Sequence, residues 1–146
     1  MIRKRIPQHD DKVIWGLVVK LLLPYARKSQ PDVRVRLTDI RKRLRPCLTL
    51  VSVGGGQRST GFISLRQNRQ SMHIDMLAVD PKYQGKGVGS QLMEAAERSA
   101  VRAGCNKIYV WVDEANVPAQ RFYQQKQFEP IQYHAVIRCY LLMKRM

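Results

Sequence analysis

Acidic side chains are scarce in this chain: 11 Asp and Glu stand against 26 Lys and Arg, a formal net charge of +15. A surface of that sign attracts polyanions such as nucleic acid, acidic membrane or a phosphorylated ligand. It repels polycationic ones unless carboxylates cluster locally. Cysteine is also sparse. Cys47, Cys105 and Cys139 are scattered, odd in number and without a C-x-x-C or histidine pairing. That argues against disulfides and against a metal site, and for a reducing, cytoplasmic setting. Long apolar runs are missing too: Val13 to Leu23 is short and broken by Gly16 and Lys20, so no membrane span is expected. Met1 to Pro7 lacks the apolar core of a signal peptide. Aromatic residues make up only 8 % of the chain, and none is interleaved with the charges of the basic run Val33 to Arg45. Stacking on nucleic-acid bases is therefore unsupported there.

What is present fits a soluble globular chain. With 146 residues, 45 % apolar and 25 % charged, it is expected to fold as one domain, residues 1–146. The surplus charge is spread along it: residues 1–46 hold 13 basic against 4 acidic residues, and residues 47–146 hold 13 against 7.

The most informative stretch is Met72 to Met93. Met72 to Val79 reads as a strand, which Asp80-Pro81 ends, since proline cannot continue a central ladder. Gly85, Gly87 and Gly89 then permit backbone conformations and close approaches that side chains forbid. From Val88 the apolar period turns helical, with Val88, Leu92, Ala95 and Ala96 on one face. Free N–H groups at the start of a helix, behind a run of glycines, are a ready site for phosphate, and Lys86 adds a positive charge. The spacing is neither the G-x-G-x-x-G of a dinucleotide fold nor a P-loop.

The rest of the chain supplies the frame. Ile2 to Ile6 reads as an edge strand, and Asp10 or Asp11 as the cap of a helix striped by Val13, Ile14, Leu17, Val18, Leu21 and Leu22. A turn at Ser29-Gln30-Pro31 opens a second helix with Val33, Leu37, Ile40 and Leu44 on one face. Asp32 with Arg36, and Asp39 with Arg43, stand at pairing distance along it. Leu48 to Val53 and Thr60 to Leu65 predict a hairpin around Gly54-Gly55-Gly56. The helix after the glycines ends near Ala103, with Gly104 as its C-cap. Ile108 to Val112 predicts a strand parallel to Met72–Val79, the helix between them being the crossover. Asn116 caps a helix from Pro118 to Lys126, and Phe128 to Tyr133 and Ala135 to Lys144 are the last strands. Trp15 and Trp111 are read as core, His9 and His134 as surface or structural.

Two runs carry a resemblance. Gln84, Gly87 and Gly89 fall on [QR]-x-x-G-x-[GA], and the surrounding V-D-P-x-Y-Q-G-K-G-V-G-x-x-L resembles the acetyl-CoA signature of the GNAT N-acetyltransferase superfamily. Asn116, Ala119, Phe122, Tyr123 and Phe128 fall on that family's N-x-x-A-x-x-F-Y-x-x-x-G-F. Gln127 departs from it where glycine is usual, which puts the end of that helix in question. With the order of elements, the resemblance covers nearly the whole chain. It implies an α/β fold: a mixed, mostly antiparallel sheet of about seven strands, helices on both faces, splayed between the fourth and fifth strands.

The resemblance further implies acetyl-CoA as cosubstrate, no metal, and a primary amine of a small molecule or protein as acceptor. Leu77, Ala78 and Val79 would hold the pantetheine arm by their backbone. The amides of Gln84, Gly85, Lys86, Gly87, Val88, Gly89 and Ser90 would hold the pyrophosphate, and Asn116, Ala119, Phe122 and Tyr123 would flank the arm. Tyr123 would be the general acid that protonates the leaving thiolate. His73 and Asp75 share a strand face, with His73 as the candidate base and Asp75 orienting it or acting through water. Tyr25, Arg27, Arg34, Glu129 and Tyr133 are candidates for the acceptor site. Cys105 and Cys139 have no adjacent base, so the amine is expected to attack the thioester directly. Family members are often dimers, and the resemblance implies a homodimer as one state. Two rival readings stand: transfer of another acyl group from CoA, and a CoA-sensing module that uses its basic helix on nucleic acid.

Overall fold

The chain runs β1 (Ile2–Lys4), α1 (Pro7–Leu17), α2 (Leu23–Ser29), α3 (Leu37–Leu44), β2 (Leu48–Val53), β3 (Ser59–Asn68), β4 (Ser71–Val79), α4 (Val88–Arg102), β5 (Lys107–Asp113), α5 (Val117–Gln125), β6 (Glu129–His134) and β7 (Cys139–Arg145). This is a computed structural model, and it describes residues 1–146. The seven strands form one sheet in the order β1-β2-β3-β4-β5-β7-β6. All neighbours are antiparallel except β4 and β5, which are parallel, as the crossover helix requires. Apolar clusters form on both faces. Leu92, Ala96, Tyr123 and Phe128 pack with Ile63, Leu65 and Ile74 on one, and Ile14, Leu17, Ile40 and Leu44 pack with Val51, Phe62 and Met76 on the other. The expected α/β sheet with helices on both faces is therefore present.

One surplus residue shapes the middle of the sheet. Ile63 and Leu65, two apart on β3, lie opposite Leu77 and Ile74, three apart on β4. Asp75 is the extra residue, a β-bulge that bends the strand and increases its twist. Met72, Ile74, Met76 and Ala78 are all buried and alternate regularly in sequence, yet the bulge sends the first two to the α4 face and the last two to the α1 face. Just there the parallel ladder stops. Its rungs run from Ser71 with Lys107 to Ile74 with Val110, and beyond them β4 and β5 part. This is the splay between the fourth and fifth strands.

Several local expectations are corrected. Asp10 and Asp11 do not cap α1 but lie inside its first turns, fully buried. Arg3 grips the Asp10 carboxylate with two nitrogens, at 2.7 and 3.0 Å, and Ser59 Oγ donates to it at 2.8 Å. Asp11 accepts from Arg5 at 2.6 Å and from Arg41 at 3.2 Å. These buried ions are thus fully paired, and they tie β1 and α1 to β3 and α3. The second helix starts at Leu37, not Pro31, because Asp39 Oδ2 accepts the Arg36 N–H at 2.8 Å and so sets its first turn. Arg43 then pairs with Asp75 rather than Asp39. The last strand begins at Cys139, after a turn. Trp15 and Trp111 are 36 % and 42 % exposed, not core. Gly104 takes its left-handed conformation (φ +79°) as expected, and so does Gln127 (φ +73°), without being glycine.

Between α1 and α2 the helix widens into a π-helical turn, Val18–Leu22. Pro24 cannot donate the hydrogen bond that would close the ordinary turn, and the Leu23 N–H reaches back five residues to the Val18 carbonyl. Such turns often accompany functional sites.

Candidate active site

The splay creates a cleft of about 570 Å³ running from the end of β4 to the start of α4. Its backbone wall follows from the ladder. The Asp80 N–H donates to the Thr60 carbonyl at 2.8 Å, so in this antiparallel register Ala78 with Phe62 and Met76 with Ser64 are the bonded pairs. Leu77 and Val79 therefore aim their N–H and C=O groups away from β3, into the gap. The Val79 carbonyl is already taken: Gln84 Nε2 donates to it at 3.0 Å, folding the loop back onto the strand.

The loop leaves backbone N–H groups open beside the cleft. Gly85 and Gly87 have φ of +77° and +82°, a conformation that L side chains rarely take. Gly87 precedes the first turn of α4, whose N–H groups have no helical partners. A Cβ on Gly89 would meet the Phe122 ring at 3.3 Å, so α5 approaches the loop closely there. Lys126 Nζ donates to Ser90 Oγ at 2.7 Å and closes that side.

Of the residues expected to hold the cosubstrate, Leu77, Ala78, Val79, Gln84, Gly85, Gly87, Val88, Gly89, Ser90, Asn116, Ala119, Phe122 and Tyr123 all line this cleft. Lys86 does not; its Nζ lies 5.6 Å above the Tyr83 ring. Asn116 caps α5, its Oδ1 accepting the Ala119 N–H at 3.2 Å. Sequence reasoning missed Leu21 and Leu22 of the π-helical turn, together with Tyr83 and Pro118. Leu21 and Leu22 read as an ordinary apolar stripe. Only Pro24 signalled that the helix deviates there.

A second cavity of about 540 Å³ lies on the α2 side of the sheet and shares Leu22, Leu77, Asn116, Ala119 and Tyr123 with the first. Tyr123 stands at the junction. It is buried, its ring edge-on to Phe122 and Phe128, and burial alone pushes its phenol above the ordinary range. His73, Asp75 and Asp113 are the titratable walls of the second cavity, together with Arg43, Arg66 and Cys139. The expected pairing of His73 with Asp75 is not formed. Both Asp75 oxygens accept from Arg43, at 2.8 and 3.3 Å, while the His73 ring stacks on Tyr109. Burial and the nearby Arg66 hold His73 below its usual value, in the neutral form. Burial raises the Asp113 carboxyl. Burial, with Asp113 beside it, pushes the Cys139 thiol up to about 11.

Of the remaining acceptor-site candidates, Tyr25 lines the first cleft, and Arg27, Arg34, Glu129 and Tyr133 line neither. Arg27 Nε donates to the Val33 carbonyl and Tyr133 Oη to Glu114.

The sequence profile of the acetyltransferase (GNAT) family matches residues 15–128, a span holding both the glycine loop and α5. The chain belongs to this family. A mycothiol acetyltransferase of Jonesia denitrificans is 32 % identical over 84 residues, which cover 56 % of this chain and 27 % of that protein. The chain spans about a quarter to a half of the length of the first curated relatives it matches. Among solved structures, Ard1 of Thermoplasma volcanium superposes with a TM-score of 0.83 at 22 % identity, over 100 % of this chain and 97 % of that one. A PaiA N-acetyltransferase of Thermoplasma acidophilum, solved in complex with coenzyme A, superposes with a TM-score of 0.74 at 16 % identity, over 100 % and 99 %. The splayed sheet is thus the family's fold.

Proposed function

We propose that this protein transfers an acetyl group from acetyl-CoA to an amine. The observation that carries the reading is the meeting of two cavities at Leu77 and Tyr123, one fit for a phosphorylated donor and one for an acceptor. The donor side offers free amides at the glycine loop, the open backbone groups of Leu77 and the Val79 N–H. That the Thermoplasma acidophilum neighbour was solved with coenzyme A supports the assignment.

In this reading the acceptor's neutral nitrogen attacks the thioester carbon through the gap, forming the C–N bond. The C–S bond then breaks, and the leaving sulfur takes the Tyr123 phenol proton, which solvent restores. The nitrogen's own proton passes to solvent through the second cavity, so nitrogen loses one proton as sulfur gains one. Tyr123 suits an acid's role, since burial keeps its phenol protonated. The raised Cys139 and Cys105 thiols are poor nucleophiles, in keeping with direct transfer.

Thermal melting with acetyl-CoA, with CoA and with NADH as control tests the donor site. Saturation at a hundred times the dissociation constant should add about 2.7 kcal/mol of stability. An equal response to NADH, or none to CoA, would defeat the reading. Thiol release in an amine screen then tests transfer.

A further inference from the structure

The second cavity is mostly apolar, but it carries two charged groups without a countercharge. Arg43 and Asp75 neutralise each other, whereas Arg66 and Asp113 form no ion pair; the Asp113 carboxylate accepts only from Cys139 Sγ, at 3.7 Å. Both side chains lie on the α3 face of the sheet. On β3, Phe62 packs on that face, and Arg66 is four residues further along. On β5, Ile108, Val110 and Val112 pack on the opposite face, leaving Asp113 toward the cavity.

Strand register fixes their separation. Arg66 is paired with His73, and His73 with Tyr109. Asp113 stands four residues beyond Tyr109, about 13 Å along the strand. Carried past its last rung, Ile74 with Val110, the parallel register brings Asp113 about level with Leu77, where the backbone opens on the donor cleft. Arg66 sits exposed at the far end, level with the rungs where β4 and β5 still pair. The wall between them is largely apolar, with Val33, Val35 and Trp111 on it, and its one charged feature, Arg43 with Asp75, is a closed ion pair.

We propose that the acceptor is an apolar amine carrying an anionic group at its far end, the ammonium docking on Asp113 and the carboxylate or phosphate on Arg66. This rests on the acetyl-transfer reading. Asp113 then takes the ammonium proton, leaving the nitrogen lone pair free to form the C–N bond as the C–S bond breaks. A cation at the far end would meet Arg66 instead, so diamines and polyamines are poor acceptors.

The test compares three acceptor series of six, eight and ten carbons: ω-amino carboxylates, n-alkylamines and α,ω-diamines. An ω-aminoalkyl phosphate arm separates the two anion sources. A charge-assisted bond should favour the anionic acceptors over the alkylamines by about tenfold or more in kcat/KM, with diamines last. Arg66→Gln should bring the ratio of amino carboxylate to alkylamine close to one, and Arg66→Lys should restore much of it. Asp113→Asn should lower kcat for every amine while the stabilisation by CoA persists, which separates it from misfolding. Diamines equal to or better than amino carboxylates, or a ratio unmoved by Arg66→Gln, would overturn the proposal. Should no amine be acetylated, the transfer reading fails. Calorimetric titration of the amino carboxylates into the CoA-bound protein then decides: binding weakened by both substitutions supports the two-ended site, and no binding rejects it.

Discussion

Arg43 reaches from α3 to Asp75 on β4, Nε to Oδ2 at 2.8 Å, and so braces the one residue of the strand that β3 leaves without a partner. The arginine is half exposed, so the pair itself contributes at most about 1 kcal/mol. Arg43→Ala should therefore lower the melting temperature by no more than a few degrees. It also leaves the Asp75 carboxylate without its cation inside the acceptor cavity. The KM for anionic amines should rise and that for diamines should fall, as steady-state assays would register.

Gly61 controls how closely β3 and β4 approach. A Cβ there would lie 2.9 Å from the Ala78 carbonyl oxygen and 3.2 Å from the Val79 Cα. Backbone cannot swing aside as a side chain can, so Gly61→Ala should cost about 1–3 kcal/mol. It should also push β4 toward the gap and weaken CoA binding, measured as a smaller ligand-induced rise in melting temperature. A variant with native CoA response would show that β4 absorbs the strain elsewhere.

Tyr123→Phe removes a hydroxyl that stands at the cavity junction. Folding should be little affected, since burial alone, with no hydrogen bond, shifts the phenol. Turnover should fall about a hundredfold, near the low end for general-acid catalysis because thiolate leaves readily. Unchanged kcat across pH would remove Tyr123 from the chemistry.

The paired carboxylate of Asp10 ties stability to pH. Burial alone would raise it, but Arg3, the Ile6 N–H and Ser59 together hold it below its usual value. Its contribution is therefore fully present above the unfolded-state value near 4. It is lost as pH falls through the lower folded value. Asp10→Asn should melt well below wild type at pH 7, and the gap should narrow below about pH 4.

Gln127 ends α5 at φ +73°, where an L side chain costs about 1–2 kcal/mol. Gln127→Gly removes that strain and gives back part of the gain as chain entropy. A net stabilisation of about 0.5–1 kcal/mol is expected, read as a melting temperature a few degrees higher.

These positions show where the sequence was legible. Gly85 and Gly87 announced the turn between β4 and α4 because a positive φ leaves few other choices, and Asn116 announced the start of α5 because a cap must sit there. Tyr123 and its neighbours were legible through a dense motif. Features that depend on partners distant in the chain were not. Asp10 and Asp11 looked like caps because the groups that complete their burial, Ser59 for one and Arg41 for the other, come from β3 and α3. Trp111 looked like core because its strand is apolar, but alternation turns it toward the cavity. Asp113 carries no local signal at all; its place is set by strand register.

The bulge at Asp75 also defines what kind of edit the gene could not absorb. Deleting that single codon would leave an uninterrupted alternating strand, well suited to pairing. Met76, Leu77, Ala78 and Val79 would keep their sides, but β4, no longer bent by the bulge, would be free to zip onto β5 along its length. The protein would keep every residue of its glycine loop and lose the cleft beside it. Function here depends on one residue too many.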